Sequence, residues 1–385
     1  MEGVRPGNPA GERKAVTEVD FFRGKVGLQQ RVLPAYRAAF FDRLAQVCSG
    51  GLSVFAGEPR DAEAISTAGA LRVAHRVQAR NLDLFGGPVY ACLQWGLLRW
   101  LREWDPDVLI LEASARNLLN GLAVAWMHRR GRPVIGWGLG APPVGGWLAG
   151  LRQARRRSYL RRFDGLIAYS SRGAQSYREE GITQDRVFVA VNAVSGPPTP
   201  LFRPTPPPDR ARRVLFVGRL QTRKRVDALL AACDGLEPAP EVWIVGEGPA
   251  RAALERLAQR GRLSVRFLGG VHGAALEQVY READLFVLPG TGGLAVQEAM
   301  AHGLPVIVAE GDGTQADLVR PENGWLIPSE DAAALRQALR TALADPAGLR
   351  HKGEASHRIV AQEANIEVMA GEFVRALNQT RAAGG

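Results

Sequence analysis

Two cations follow an apolar run in the second half of the chain. Arg219 and Lys224 come directly after Val214–Gly218, which the pattern predicts to be a buried strand. Cations just past the carboxyl end of a strand suit a diphosphate whose negative charge grows as the bond to it breaks. The alternative is a solvated basic loop, and these residues alone leave both interpretations open.

A glycine-rich turn with an acid behind it lies further along the chain. The run Leu285–Ala309 predicts a strand that ends at Pro289, then a turn, then a helix that begins near Leu294. Exposed amides and the helix dipole at such a turn favour anions, so we expect a diphosphate on Gly292–Ala295. Glu298 lies about one turn into this helix, where its carboxylate can accept two hydrogen bonds from ribose hydroxyls. The alternative is that Glu298 only stabilises the first turn of the helix.

A second glycine turn, Gly246–Pro249, has the sequence GEGP and follows another predicted strand, Glu241–Val245. Proline is favoured in the first turn of a helix, so the motif predicts a tight turn from strand to helix. By itself it favours such a turn over contact with a ligand.

Short apolar runs alternate with longer amphipathic ones along the chain, which is typical of parallel sheets flanked by helices. In the first half the predicted strands are Val26–Leu33, Leu52–Ala56, Val108–Glu112, Pro133–Trp137, Gly165–Tyr169 and Val187–Val191. In the second half they are Val214–Gly218, Glu241–Val245, Val265–Leu268, Leu285–Leu288, Pro305–Ala309 and Gly324–Ile327. The predicted helices include Tyr36–Val47, Val89–Glu103, Leu118–Arg129, Trp147–Arg162 and Asn365–Leu377. Ligands bind beyond the carboxyl ends of strands in such sheets, so two facing domains predict a cleft site.

The predicted domain organisation has five parts. Residues 1–22 form a polar lead-in that we expect to be disordered, and residues 23–195 form a first Rossmann-like domain. Residues 196–212 form a proline-rich linker, because prolines there deny helix and strand pairing and stiffen the chain. Residues 213–362 form a second Rossmann-like domain, and residues 363–385 form a C-terminal helix that crosses back to the first.

Positive charge is concentrated in the first half. The net charge is +10, and the first 200 residues carry 27 Arg and Lys against 17 Asp and Glu. A one-sided basic field suits an acidic partner such as a phospholipid surface or a lipid-diphosphate, although a well-solvated surface is the alternative. No run approaches the ~18–20 apolar residues of a membrane-spanning helix. The three cysteines, at 48, 92 and 233, lack metal-ligand spacing, so we expect buried free thiols in a cytoplasmic protein.

The segment Trp147–Arg162 combines six arginines with tryptophan, leucine and tyrosine. A basic amphipathic helix of this kind can lie on the inner face of an anionic membrane. In the alternative interpretation the apolar side chains pack inward and the arginines are solvated. We expect no nucleic-acid partner.

The motifs of the second half together resemble glycosyltransferase family 4, the glycogen-synthase-like enzymes of the GT-B fold. The similarity covers roughly residues 212–345. The matching segments are GRLxxxKR at 218–225, GEGP at 246–249, FLG at 267–269, ADLFVLP at 283–289, EAMAHGLPVI at 298–307 and NGWLI at 323–327. The first half resembles the family only in outline.

This resemblance implies an α/β protein with two Rossmann-like domains that face each other across a cleft. It assigns the donor diphosphate to Arg219 and Lys224, and the donor ribose to Glu298. The remaining candidate donor-binding residues are Gly218, Phe267, Leu268, Gly269, Val271, Gly290, Thr291, Gly292, Gly293, Leu294 and Ala295. The candidate acceptor-side residues, which lie past strand ends of the first domain, are Tyr36, Arg37, Glu112, Arg116, Asn117 and Trp137. Loop capping and packing are the alternative for each of these six.

One position departs from the family pattern. The family has two glutamates separated by seven residues, and counting back from Glu298 puts the first at position 290, which is glycine here. The missing acid would contact the donor sugar, so its loss puts recognition of that sugar in doubt.

The function expected from these residues together with the resemblance is transfer of a sugar from a nucleotide sugar, a UDP-sugar by preference, to an unidentified acceptor. The resemblance implies that the transfer retains the anomeric configuration and requires no cofactor and no metal. Two alternatives stay open: an isomerase similar to nucleotide-sugar 2-epimerases, and a catalytically silent protein that only binds a nucleotide sugar.

Overall fold

The first half of the chain folds around a parallel sheet. The computed structural model describes residues 21–60, 63, 65–85, 90–143, 145–147, 149–200, 207 and 210–383. Within these residues the first strands are β1 (Val26–Val32), β2 (Leu52–Gly57), β3 (His75–Gln78), β4 (Arg80–Leu84), β5 (Ala91–Trp95), β6 (Val108–Glu112), β7 (Val134–Gly138), β8 (Gly165–Ala168) and β9 (Val187–Val189). The sheet has the order β3-β2-β1-β6-β7-β8-β9, and β4 pairs with β5 in a separate antiparallel hairpin. The helices are α1 (Ala38–Gln46), α2 (Leu97–Trp104), α3 (Asn120–His128), α4 (Ala149–Leu160) and α5 (Ser171–Glu179).

The second half repeats this architecture with a smaller sheet. Its strands are β10 (Arg213–Val217), β11 (Glu241–Val245), β12 (Ser264–Gly269), β13 (Leu285–Leu288), β14 (Val306–Ala309) and β15 (Gly324–Ile327), in the order β12-β11-β10-β13-β14-β15. Its helices are α6 (Val226–Cys233), α7 (Arg251–Arg260), α8 (Ala274–Glu282), α9 (Leu294–Ala301), α10 (Gln315–Leu318), α11 (Ala332–Ala344), α12 (Pro346–Gln362) and α13 (Ile366–Ala383). All neighbouring strands within both large sheets run parallel, which confirms the predicted pair of Rossmann-like sheets.

Helix α13 packs on the first domain, not on the second. Phe373 lies edge-on to Phe40 of α1 and to Trp137 of β7, with ring centroids 4.9 and 5.0 Å apart. These side chains are almost fully buried and belong to one apolar core. The apolar face of α13 therefore closes the first domain, and its burial provides the driving force for the chain to cross back.

Gln297 of α9 connects the second domain to both segments that link the two sheets. Its side chain is 1% exposed. The amide Nε2 donates to the carbonyl oxygens of Asn192 and Ala364 at 3.2 and 2.8 Å, and Oε1 accepts from the backbone N–H of Val194 at 3.0 Å. Since α9 also carries Glu298, the expected ribose contact, these bonds hold that helix against the two segments that link the sheets.

The domains also meet at their carboxyl edges. The backbone N–H of Ser171, at the start of α5, donates to the Asp317 carboxylate at 2.6 Å. Next to it, the side chain of Arg172 packs so closely on Gly313 that a Cβ there would lie 2.9 Å from Cδ of Arg172. The two faces that carry the candidate site residues are therefore adjacent.

One predicted helix is wrong in its first part. We expected a helix over Val89–Glu103, but Ala91–Trp95 is strand β5 and the helix begins only at Leu97. Gly96 adopts a φ of +92°, which separates the two elements because that conformation does not continue a strand or a right-handed helix. Residues 86–89 lie outside the described part of the chain.

Two further differences concern the edges of the first domain. Phe22 was assigned to the disordered lead-in, yet it is fully buried and its backbone bridges to Cys48; residues 1–20 of that lead-in are not described. Strand β3 was not predicted because its sequence, HRVQ, has no apolar run. In the linker, residues 201–206, 208 and 209 also lie outside the described residues.

Candidate active site

The segment that carries Arg219 is seated by the GEGP turn. The backbone N–H of Leu220 donates to the Glu247 carbonyl at 2.9 Å, and that of Ala250 donates to the Leu220 carbonyl at 3.0 Å. A Cβ at Gly246 would overlap the backbone carbonyl of Gly218, and one at Gly248 would overlap that of Leu220. These glycines are therefore required for close backbone packing. This agrees with the prediction that GEGP forms a tight turn from strand to helix.

Arg219 itself is exposed, and its side chain has no hydrogen bond or ion pair to the described residues. It emerges from Gly218, immediately beyond the carboxyl end of β10. A guanidinium held at this place by a rigid backbone is available to an anionic ligand.

Lys224 lies under the glycine-rich turn. It ends a short 3₁₀ turn, Thr222–Lys224, and its Nζ donates to the carbonyl oxygen of Thr291 at 2.6 Å. Burial, and then the nearby charge of Arg223, lower the pKa of Lys224 below its usual value. A partly desolvated ammonium gains more from a diphosphate than a solvated one does, because the local dielectric is lower.

The turn between β13 and α9 is built from backbone atoms. Gln315, which is 1% exposed, donates from Nε2 to the carbonyl of Gly292 at 2.8 Å. Gly292 has a φ of +146°, and a Cβ there would overlap Nζ of Lys224. The amides of Leu294 and Ala295 open α9 and have no carbonyl partner inside the helix, so they are free to donate to an anion.

Gly290 is buried against the backbone of the Lys224 turn. A Cβ at this position would overlap the carbonyl oxygen of Arg223 and lie 2.5 Å from the carbonyl carbon of Lys224. The backbone N–H of Thr291 also donates to the Arg223 carbonyl at 3.0 Å. The position of the family's first glutamate is therefore occupied by a contact between two backbone segments.

Glu298 is held by a neighbouring tyrosine. The Tyr280 hydroxyl donates to Oε2 of Glu298 at 3.2 Å, and the Tyr280 ring stacks on His302 with centroids 4.8 Å apart. Tyr280 is 1% exposed, whereas Glu298 is half-buried and reachable from solvent.

The candidate donor-binding residues Phe267, Leu268 and Gly269 end strand β12, and Val271 follows it. The carbonyl of Gly269 accepts from the backbone N–H groups of Gly246 at 2.7 Å and Val271 at 3.1 Å. Phe267, Leu268 and Val271 are half-buried and pack on the core of the second domain. The structure thus brings Gly218, Arg219 and Gly269 to one edge of the sheet, together with the glycine-rich turn.

The acceptor-side candidates divide into two groups. Arg37 stacks on Trp137 at 4.3 Å and contacts the half-exposed Tyr36, and its Nη2 donates to the Tyr169 hydroxyl at 2.9 Å. All of these side chains lie at the carboxyl ends of β1, β7 and β8.

The second group has a role in the fold. Glu112 accepts from the backbone N–H of Arg31 at 2.9 Å and from Nδ2 of Asn117 at 2.8 Å, so each carboxylate oxygen is engaged. Arg116 is exposed, and its backbone N–H donates to Oγ of Ser114 at 3.4 Å. Glu112 and Asn117 fasten the end of β6 to the end of β1.

The two halves of the chain match two family models in sequence. Residues 211–345 match the model described as "Glycosyl transferases group 1", and residues 35–193 match the "Glycosyl transferase 4-like domain". A GDP-mannose-dependent alpha-mannosyltransferase of Mycolicibacterium smegmatis is 31% identical over 309 residues, which are 74% of this chain and 77% of the relative. The chain belongs to glycosyltransferase family 4.

Other comparisons agree with this glycosyltransferase assignment. A phosphatidyl-myo-inositol mannosyltransferase of M. smegmatis is 30% identical over 259 residues, 64% of each chain. The apo form of the lipopolysaccharide outer core galactosyltransferase WaaB superposes with a TM-score of 0.67 at 18% identity and covers 92% of this chain and 99% of its own. Sucrose-phosphate synthase from Thermosynechococcus elongatus gives 0.66 at 22%, covering 93% and 99%. These two structures show that the glycosyltransferase has the GT-B fold.

Several contacts of the glycosyltransferase site were missed in the sequence. Tyr169 was assigned to the end of a strand, and Tyr280 and Gln315 to no site at all. Their neighbours in sequence gave no signal, because each acts on a residue from a distant element. Only the position of Tyr169 past a strand end pointed toward the cleft.

Within the described residues, no helix has the length and apolar character needed to cross a bilayer. In the same part of the chain, no group of three or more His, Cys, Asp or Glu side chains is arranged to hold a metal ion. The carboxylates of the sequence Asp105-Pro106-Asp107 instead bond to Arg132 and to the Lys25 amide.

Replacing Tyr280 with phenylalanine is expected to raise the KM of the glycosyltransferase for the nucleotide sugar about 3–10-fold. The reason is that Glu298 loses the hydrogen bond from the Tyr280 hydroxyl, which is worth about 0.5–1.5 kcal/mol. The value of kcat should change less, since the ring still packs on His302. Steady-state kinetics with varied donor would measure this. An unchanged KM would mean that Tyr280 does not position Glu298 for the donor.

Proposed function

We propose that this glycosyltransferase transfers mannose from GDP-mannose, with retention of configuration, to an acceptor bound by the first domain. The observation that carries the proposal is the position of Lys224 directly beneath the glycine-rich turn, close to the free amides of α9. This combination suits a diphosphate leaving group. The names of two curated relatives, 31% and 32% identical, include GDP-mannose, so we propose GDP in place of the UDP expected from the sequence.

In the proposed reaction, the bond between the sugar anomeric carbon and the diphosphate oxygen breaks, and the bond from that carbon to the acceptor oxygen forms on the same face. The departing phosphate oxygen takes the acceptor proton, so no protein base is needed. Arg219, Lys224 and the amides of α9 stabilise the charge that develops on the diphosphate. We propose that these groups make a metal ion unnecessary, and that the domains close about the segments held by Gln297.

The rival functions make different demands on the same cleft. An isomerase needs an acid and a base near the donor sugar and consumes donor without an acceptor. Glu112, the acid at the end of β6, is bonded at both oxygens to Arg31 and Asn117, which favours a transferase. A silent binding protein would hold the nucleotide without turnover.

The test is a donor screen that follows release of free nucleotide from GDP-mannose, UDP-glucose and ADP-glucose, with and without a pooled extract of acceptors, and with and without a chelator. We expect release from GDP-mannose that depends on the acceptor and survives the chelator. Release of nucleotide from UDP-glucose and not from GDP-mannose would overturn the assignment of GDP-mannose as the donor. Loss of donor without any acceptor would establish the isomerase, and binding without release would establish the silent protein.

We also propose that α4 and the preceding turn contact an anionic membrane. Trp147 is 93% exposed and Leu151 is 59% exposed, so these two side chains do not pack inward, whereas Leu160 at the end of α4 is buried. Arg155 on α4 and Arg161 just after it are exposed, while Arg156 pairs with Glu180. Exposed apolar and cationic side chains on one helix are typical of interfacial binding.

Replacing Trp147 with serine is expected to weaken binding to vesicles of phosphatidylglycerol and phosphatidylcholine about 10-fold, because a buried indole contributes roughly 1.5 kcal/mol or more. Co-sedimentation would measure the partition. Trp95→Ser, at an indole that is 67% exposed on strand β5, is the matched control. Equal loss in both variants would contradict a specific role for α4.

A further inference from the structure

Arg37 is a buried cation without an acidic partner. It is the last residue of the short 3₁₀ turn Ala35–Arg37 after β1, and its residue exposure is only 7%. Its side chain donates to two phenol oxygens, from Nη2 to Tyr169 at 2.9 Å and from Nε to Tyr36 at 3.4 Å. Among the described residues, no carboxylate pairs with it. A guanidinium cannot lose its proton at physiological pH, so this charge is buried as such.

Two hydrogen-bond donors in the same cluster are unused. Nη1 of Arg37 is buried without a hydrogen-bond acceptor, and so is Nε1 of Trp137, whose ring lies 4.3 Å from the guanidinium carbon. Burying a polar group without a partner is costly, and burying an unpaired charge more so. Stacking on aromatic faces offsets only part of this cost.

The neighbouring side chains cannot supply the missing charge. Burial raises the pKa of Tyr169, so its hydroxyl stays neutral. Glu112, at the next strand end, is bonded at both carboxylate oxygens to Arg31 and Asn117. The complementary anion must therefore come from outside the chain.

The cluster lies on the wall of the cleft that faces the donor side. Tyr169 is two residues before Ser171, whose backbone N–H donates to Asp317 of the second domain at 2.6 Å. Gln315, on the same helix α10 as Asp317, donates to the carbonyl of Gly292 in the glycine-rich turn at 2.8 Å. Tyr36, at 39% exposure, is the part of the cluster that reaches solvent.

We propose that Arg37 binds a phosphate group of the acceptor, with Trp137 Nε1 as a second donor and with Tyr36 as a cover that the phosphate displaces. The inference rests on the proposed transferase function and names its acceptor class as a phosphate-bearing molecule. A terminal phosphate group has three non-bridging oxygens, so Nη1, Nε and the indole N–H can each find a separate acceptor. Its charge is also the one that the buried guanidinium lacks.

The test uses the full chain, saturated with GDP so that the donor-side cations are occupied, and inorganic phosphate as the probe at constant ionic strength. Phosphate is expected to raise the melting temperature of the wild type and of Arg102→Met, a control at an exposed arginine of α2. It is expected to leave Arg37→Met unshifted. Tyr36→Ala is expected to bind phosphate more tightly than the wild type, because the cover is gone. A purely structural role of the cluster would not produce that gain.

Two further arms keep the result interpretable. If Arg37→Met does not fold, Arg37→Lys replaces it, with an expected loss of about 10-fold in phosphate affinity because the fork geometry is absent. Vesicles containing phosphatidic acid test whether a lipid phosphate reaches Arg37, and the variant Trp147→Ser is used as the background so that α4 does not contribute. Vesicle binding that depends on Arg37 would assign the phosphate to a lipid. Binding of free phosphate without vesicle binding would assign it to a soluble acceptor. Equal stabilisation of wild type and Arg37→Met by phosphate, or none in either, overturns the proposal. The change in melting temperature caused by GDP alone is measured in all variants and reports on the donor site. A failure of the proposed donor site can therefore be distinguished from a failure of the proposed phosphate site.

Discussion

Replacing Lys224 with methionine is expected to lower kcat by about 10²–10³-fold, the effect of removing one group that stabilises charge developing in a transition state. Nζ of Lys224 lies under the turn where the diphosphate is expected, at 2.6 Å from the Thr291 carbonyl, and methionine preserves most of the buried stem. The double variant Lys224→Met/Arg219→Met should have a lower kcat than either single variant. The measurement is the rate of acceptor-dependent nucleotide release at saturating donor.

Arg256→Gln, at an exposed arginine on the outer face of α7, is the matched control and should keep full activity. The pH profile gives a second readout. Since burial and Arg223 lower the pKa of Lys224, the free enzyme should lose kcat/KM on the alkaline side at a lower pH than an ordinary lysine would allow. In the variant Lys224→Arg, the alkaline limb of the kcat/KM profile should move to higher pH. A Lys224→Met enzyme with unchanged kcat would remove this residue from the mechanism.

Replacing Gly290 with alanine is expected to reduce kcat/KM at least 10-fold and to lower the free energy of unfolding by about 1–3 kcal/mol, the usual cost of overpacking. The added Cβ overlaps the backbone of the turn that ends at Lys224, so the turn must move and carry Nζ with it. Gly290→Glu should be worse and should not restore a contact to the sugar. Denaturant unfolding and steady-state kinetics measure the two effects.

Gly261→Ala is the matched control, because a Cβ there meets only the Asp234 side chain at an ordinary 3.5 Å. It should leave both stability and activity nearly unchanged. If Gly290→Glu instead raised activity, the glycine would be a lost catalytic position and not a packing position. That outcome would also restore the family pattern as the better guide to this site.

Local pattern was sufficient for most of the fold. Val108–Glu112, Glu241–Val245, Leu285–Leu288 and Gly324–Ile327 were predicted with the bounds that the structure has, because buried parallel strands appear as short continuous apolar runs. The hairpin was missed because Ala91–Trp95 has one apolar face and continues into a helical pattern. Strand β3 was missed because it lies at the edge of the sheet and carries polar side chains.

Some residues of the candidate site could likewise be recognised in the sequence, and others could not. Gly218, Arg219, Lys224 and Glu298 are recognisable in the sequence because each follows a strand end or opens a helix, and such positions are set by local structure. Gln297 gave no such signal. Its contacts with Asn192, Val194 and Ala364 join segments that only folding brings together.

The sequence by itself determined that this chain has two parallel α/β domains and a donor half of the family 4 type, because apolar periodicity and motif spacing are properties of neighbouring residues. Only the tertiary structure decided why Gly290 stands where a glutamate is expected, since the obstacle is the backbone of Arg223 and Lys224, distant in the chain. Only the tertiary structure, likewise, showed that Arg37 is buried without a counter-charge. Burial and pairing depend on which strand ends meet at one edge of a sheet, and that is set by the packing of the whole domain.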